Sequence, residues 1–228
     1  MELNNIQITL SCFGEFNIFD VETRKKISES FSSGYNITTQ NPQFSLMVNS
    51  IIIIENTNQK IRIILSNNRI DTTYVYSDYE KYADDVKQIL YKEIKKIILI
   101  FNSKINRIAL NCMDYVFDDN DNYLNKFVML SPFYNEFGNS SEYELKLNNL
   151  FEYNGVNFNS IISLKNGTLA NNNLLLDNER KTLFFLFDIN SVVGTFSSSD
   201  YAIIEDYFNK LLIEYVRKTD SIMIYLEC

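Results

Sequence analysis

The sequence predicts an α+β protein, with one or more mostly antiparallel sheets and two main helices packed on one face. Three observations carry this expectation. Most of the chain alternates apolar and polar residues in short runs separated by Asn- and Gly-containing turns, the period-two pattern of half-buried strands. The alternation gives way twice to helical spacing. Apolar positions 79, 82, 83, 86, 89, 90 and 94 follow Ser77-Asp78-Tyr79-Glu80, while Ile203, Ile204, Phe208, Leu211, Leu212, Tyr215 and Val216 follow Ser199-Asp200-Tyr201. Finally, most strand runs are not separated by helical crossovers, which argues against a parallel nucleotide-binding sheet.

Glu2 to Cys12 reads as the first strand through Leu3, Ile6, Ile8 and Leu10, and Asp20 then caps a short charged helix over Val21 to Phe31. Ser32 to Asn41 reads as a polar loop. Gln43 to Glu55 passes from alternation into the continuous Ile51 to Ile54, a strand moving into a buried setting. Asn56 to Gln59 is a turn and Lys60 to Ser66 a strand. Asn67-Asn68 is expected to form a two-residue hairpin turn, since Asn tolerates positive φ, and Arg69 to Tyr76 returns.

At the first long helix Ser77 and Glu80 form a capping box, each side chain satisfying the other residue's amide. Ile97 to Phe101 is either a short strand or the helix's buried end. Ile105 to Phe117 resumes alternation. Asp118 to Asn122 is the most polar break, and Leu124 to Leu130 is expected to be a strand. Asn154-Gly155 and Asn166-Gly167 each favour a type I′ turn, which brackets a strand from Val156 to Lys165 and flanks it with Glu144 to Tyr153 and Thr168 to Asp177. Leu183 to Ile189, the second long helix and a last strand, Ser221 to Leu226, complete the order.

One domain is expected over 1–228. An internal pseudo-repeat would divide it into similar halves, 1–120 and 121–228, each running antiparallel strands, helix, strand; the alternative is that common capping chemistry produced two similar helix starts.

The 228 residues suffice to bury a sizeable core without metals or disulfides. A formal charge of −8 argues against direct nucleic-acid binding, which needs clustered Lys and Arg. The compact basic group Lys92, Lys95 and Lys96 is expected to complement a helix C-terminus. The three cysteines, Cys12, Cys112 and Cys228, make no C-x-x-C and read as reduced thiols of a cytoplasmic protein, the first two as small buried hydrophobes. No apolar run is long enough to span a bilayer, so no membrane association is expected.

The passage from Tyr74 to Asn106-Arg107-Ile108-Ala109-Leu110, together with Leu174-Leu175-Leu176-Asp177, the phenylalanine-rich run after it and Ser199-Asp200-Tyr201, resembles a sporadically distributed family of prokaryotic proteins of uncharacterised function. The family's helix commonly carries a histidine near its start, and this chain has none. The resemblance implies a fold and a patchy distribution linked to mobile elements or defence; it implies no catalytic residues.

The absence of histidine removes Ser-His and Cys-His nucleophile pairs and every zinc site that needs imidazole. With 6 glycines and no phosphate-loop motif, a phosphate cradle is not expected either, and no cofactor or metal is implied. Carboxylate chemistry remains. Asp114, Asp118, Asp119 and Asp121, with Asn120 and Asn122, place hard oxygens near one another, as Mg²⁺ or Ca²⁺ would require; a solvated loop is the simpler reading. Asp84, Asp85, Glu93, Glu205, Asp206 and Glu214 fall mostly opposite the apolar helix stripes and read as solvated faces. Phe133, Tyr134 and Phe137 lie in an aromatic loop beside Pro132 and Gly138, able to anchor a partner or to fold over the core.

The functional expectation is a non-catalytic protein-binding module, acting through Phe133, Tyr134 and Phe137 and the acids Asp118, Asp119 and Asp121. Its setting would be inhibition of a host defence system, such as a CRISPR effector, by a phage or mobile element, or service within such a defence. The alternative is a metal-dependent hydrolase of phosphodiesters or nucleotides using the Asp cluster.

Overall fold

The computed structural model describes residues 3–40, 50–76, 84–128, 144–170 and 179–227. They form a mostly antiparallel α+β fold. In chain order the elements are β1 (Asn4–Gly14), α1 (Val21–Ser30), β2 (Asn36–Gln40), β3 (Ile51–Asn56), β4 (Ile61–Leu65), β5 (Arg69–Val75), α2 (Asp84–Phe101), β6 (Ile105–Phe117), α3 (Asn122–Val128), β7 (Glu144–Tyr153), β8 (Val156–Ala170), β9 (Glu179–Ser191) and α4 (Tyr201–Glu227). All nine strands join one sheet in the order β2-β3-β4-β5-β1-β6-β9-β8-β7.

β1 and β6 lie side by side at the centre, β1 also pairing with β5 and β6 with β9. The ladder therefore runs unbroken across the polar break at Asp118 to Asn122. Alternation sorts the side chains. Ile8, Leu10 and Cys12 of β1 sit level with Cys112, Leu110 and Ile108 of β6, and Leu110 and Cys112 with Ile189 and Phe187 of β9. All eight are buried. α4 packs on β6 and β9, and α2 on β5 and α1. Their Leu90, Ile94, Ile97, Phe208 and Leu211 join one apolar cluster with the strands.

Several local expectations hold. Asp20 caps α1 by accepting from the Thr23 amide at 2.9 Å. Residues 97–101 are the end of α2. Asn154-Gly155 turns β7 into β8 with φ of 49° and 77°, both in the left-handed region that a type I′ turn needs.

Other expectations are corrected. Ser32 to Asn41 contains the edge strand β2, which pairs with β3. Asn67-Asn68 does join β4 to β5, but without positive φ; the Ser66 hydroxyl accepts from the Arg69 amide and closes the turn instead. Of the strand expected over Leu124 to Leu130, the described part, 124–128, is helix, because Asp118 nucleates α3: its Oδ1 accepts from the Tyr123 amide at 3.0 Å and its Oδ2 from the Leu124 amide at 2.7 Å.

Asn166-Gly167 is not a turn either. β8 runs straight through it against β9, and a Cβ at Gly167 would press on the Phe184 ring at 3.0 Å. Nor is Ser221 to Leu226 a strand. α4 continues to Glu227, its end clasped to α3 by Lys126 Nζ donating to the Leu226 carbonyl and Tyr225 Oη donating to the Lys126 carbonyl. The capping box at Ser77 and Glu80 lies outside the described residues.

Candidate functional site

The acidic positions chosen from sequence do not converge. β6 carries Asp114 into the interior on the same face as Leu110 and Cys112, where it is fully buried. Asp118 spends both oxygens on the α3 cap. Asp119 pairs with Arg180, whose guanidinium also lies 3.7 Å from the centroid of the Phe117 ring, and this pairing holds the Asp119 carboxyl below the usual carboxylate range. Asp121 pairs with Lys181 at 2.5 Å. Consecutive cations of β9 thus tie down the loop after β6. Among the described residues no three metal-ligating side chains gather. Phe133, Tyr134 and Phe137 lie outside the described residues.

Asp114 instead belongs to a closed ring of three side chains from three elements. Asn5 Nδ2 of β1 donates to Asp114 Oδ1 at 2.7 Å and to Tyr215 Oη of α4 at 2.7 Å. Tyr215 Oη donates to Asp114 Oδ2 at 2.8 Å. Burial pushes the Asp114 carboxyl up to about 7, against the two hydrogen bonds that favour its ionised form. Burial likewise drives the Tyr215 hydroxyl and the Cys112 thiol far up. A carboxyl that titrates near neutrality is suited to proton transfer, but this one has no exposed surface. What it does here is fasten α4 to the two central strands.

Cys12 and Cys112 are free and buried, and burial raises both thiols. Only the thiolate is nucleophilic. At pH 8 a thiol-alkylating reagent is therefore expected to leave both unmodified in the folded chain and to modify both after denaturation, as read by peptide mass spectrometry. Labelling of either in the native protein would show that the sheet centre opens.

Two buried carboxylates escaped sequence reasoning. Glu93 of α2 and Glu214 of α4, assigned to solvated faces, are 1% and 8% exposed. Lys96 holds Glu93 at 2.9 Å, while Arg217 holds Glu214 through two hydrogen bonds. The signal was the basic residue three positions on, one helical turn away. Lys95 and Lys96, expected at a helix end, lie more than a turn before it. Lys95 stacks on Tyr201 and Lys96 on Phe31, which links α2 to α4 and to α1.

The remaining feature with surface consequences is β7. It pairs with β8 along ten residues and, among the described residues, has no strand on its other side. Leu147 is 53% and Leu150 72% exposed. Leu145 and Leu147 also line an apolar cleft of about 60 Å³ between β7, β8, Phe127 of α3 and Ile222 of α4.

No protein-family model matches the chain, and none of the curated proteins does.

Proposed function

We propose that the chain is a cytoplasmic, non-catalytic protein-binding module whose partner adds an extended segment beside β7. The observation that carries this reading is the ten-residue edge strand with two large exposed leucines on opposite faces. An unpaired edge offers a row of backbone donors and acceptors, and flanking apolar side chains supply the specificity. Leu147 and the cleft beneath it would take an apolar side chain of the partner.

The two long helices enter this reading as a shared cover. α2 and α4, which follow the paired Ser-Asp-Tyr sequences of a pseudo-repeat, are inferred to lie together on one face of the sheet. The link from Tyr91 Oη to Asn209 Oδ1 at 3.1 Å supports that arrangement. The setting proposed is a phage or mobile-element inhibitor of a host defence, such as a CRISPR effector, or a component of such a defence. It rests on the sequence resemblance carried by Asn106 to Leu110 and Leu174 to Asp177.

The test is affinity capture of the tagged chain from host lysate, compared with Leu147→Asp and Leu150→Asp. A stoichiometric protein is expected with the parent chain and should fall at least tenfold with either variant, because a charge beside a docked strand is left desolvated. Equal recovery by all three proteins would remove β7 from the reading. Leu150 is the more exposed of the two and lines no cleft, so Leu150→Asp is expected to keep the parent's unfolding free energy to within about 0.5 kcal/mol.

A further inference from the structure

The sheet register places three side chains in a row where β5, β1 and β6 run together. Phe13 of β1 is level with Arg69 of β5 on one side and Arg107 of β6 on the other. Their neighbours Cys12, Ile70 and Ile108 are buried in the core, so strand alternation turns all three toward the opposite face. The guanidinium carbons lie 5.1 Å (Arg69) and 4.9 Å (Arg107) from the centroid of the Phe13 ring.

The two arginines differ in how their charge is met. Arg69 Nε donates to Asp71 Oδ1 at 2.7 Å, and Asp71 also accepts from the Ser11 hydroxyl. For Arg107 no carboxylate among the described residues forms an ion pair, and its Nε is buried without a hydrogen-bond acceptor. A buried guanidinium N–H without an acceptor is costly, and a bound water or ion is one way in which such a cost is met. Arg69, Asp71 and Arg107 together carry one net positive charge, on a chain whose formal charge is −8.

We propose that Arg107, walled by Phe13 and seconded by Arg69, binds an oxyanion, either a phosphate or a carboxylate group. The planar fork of a guanidinium matches two oxygens of such a group. The Phe13 ring shields the fork from water on one side and so strengthens a charged contact made there. Arg69 adds a second cation with its strongest bond already given to Asp71, so the longer-reaching attraction favours an anion without requiring both arginines to ligate it. This site lies on the central strands, three strands from β7, and does not depend on the edge-strand reading.

The experiment measures thermal unfolding and calorimetric binding of the full chain, titrated with sodium phosphate or sodium succinate at ionic strength held constant with sodium chloride. Arg107→Gln keeps a polar, unbranched side chain and removes both the charge and the fork. Arg107→Lys keeps the charge without it. Arg62→Gln, at an exposed residue paired with Glu55, is the control. At least one of the two oxyanions is expected to raise the melting temperature of the parent and of Arg62→Gln by about 2 °C or more at tens of millimolar, since a ligand that binds only the folded state stabilises it. Arg107→Gln and Arg107→Lys should bind at least tenfold more weakly. A response to phosphate alone identifies a phosphoryl group, and a response to succinate a carboxylate. No shift in the parent with either oxyanion overturns the proposal. Equal shifts in the parent and both Arg107 variants overturn it as well.

Discussion

Phe187→Ala is expected to cost about 3–5 kcal/mol, the range for deleting a fully buried aromatic side chain and leaving a cavity. Phe187 is 1% exposed, stands on β9 level with Cys112 of β6 and Ile162 of β8, and meets the Tyr215 ring edge-on at 5.1 Å. Its loss removes the surface against which α4 rests and weakens the hold of Tyr215 on Asp114. Against a typical total of about 5–15 kcal/mol, the loss is a large share. Urea unfolding should show a lower midpoint with the slope preserved. A cost below about 1 kcal/mol would mean that α4 does not depend on this contact.

Asp114→Asn is expected to flatten the dependence of stability on pH. In the folded chain the Asp114 carboxyl is pushed up to about 7 from an ordinary value of 3.8, so between those values the folded state holds a proton that the unfolded state has released. Stability from this group is full below pH 3.8, declines as pH rises, and levels off once pH passes the folded value. Over that window the loss is on the order of 4 kcal/mol, at about 1.4 kcal/mol per unit. Among the described residues the groups facing Asp114 include Asn5 of β1, Tyr215 of α4 and Cys112 of β6, and none of these is a cation. Asp20 and Asp119 act in the opposite sense, since both are held low and lose their contribution toward the acid end. Denaturant midpoints at pH 4.5, 6 and 8 should fall for the parent and stay nearly level for Asp114→Asn. Parallel profiles would place Asp114 in its ordinary ionised state and remove it as the origin of the effect.

The limits of sequence reading here follow from what each residue is asked to satisfy. β7 was legible to the residue and β6 from Ile105 to Phe117, because strand alternation and the Asn154-Gly155 turn are local properties. The cap at Asp20 was legible for the same reason. The errors arose where one local preference met a distant partner. Ile222, Met223 and Ile224 favour a strand, yet the helix continues because its end bonds to α3, about a hundred positions earlier in the chain.

The candidate sites failed in a related way. Spacing placed Asp114, Asp118, Asp119 and Asp121 together, but strand alternation sends Asp114 inward, the α3 amides claim Asp118, and Arg180 and Lys181 claim the other two. No sequence pattern announced that Asn5 and Tyr215 would close on Asp114 from 109 and 101 positions away, nor that Arg69 and Arg107 would meet across Phe13. By itself the sequence determined the class of fold, most strand and helix positions and the absence of histidine chemistry, all of which rest on composition and short-range periodicity. The tertiary structure alone decided which polar groups are buried and with what partners, because strand order and register bring residues together irrespective of their distance along the chain.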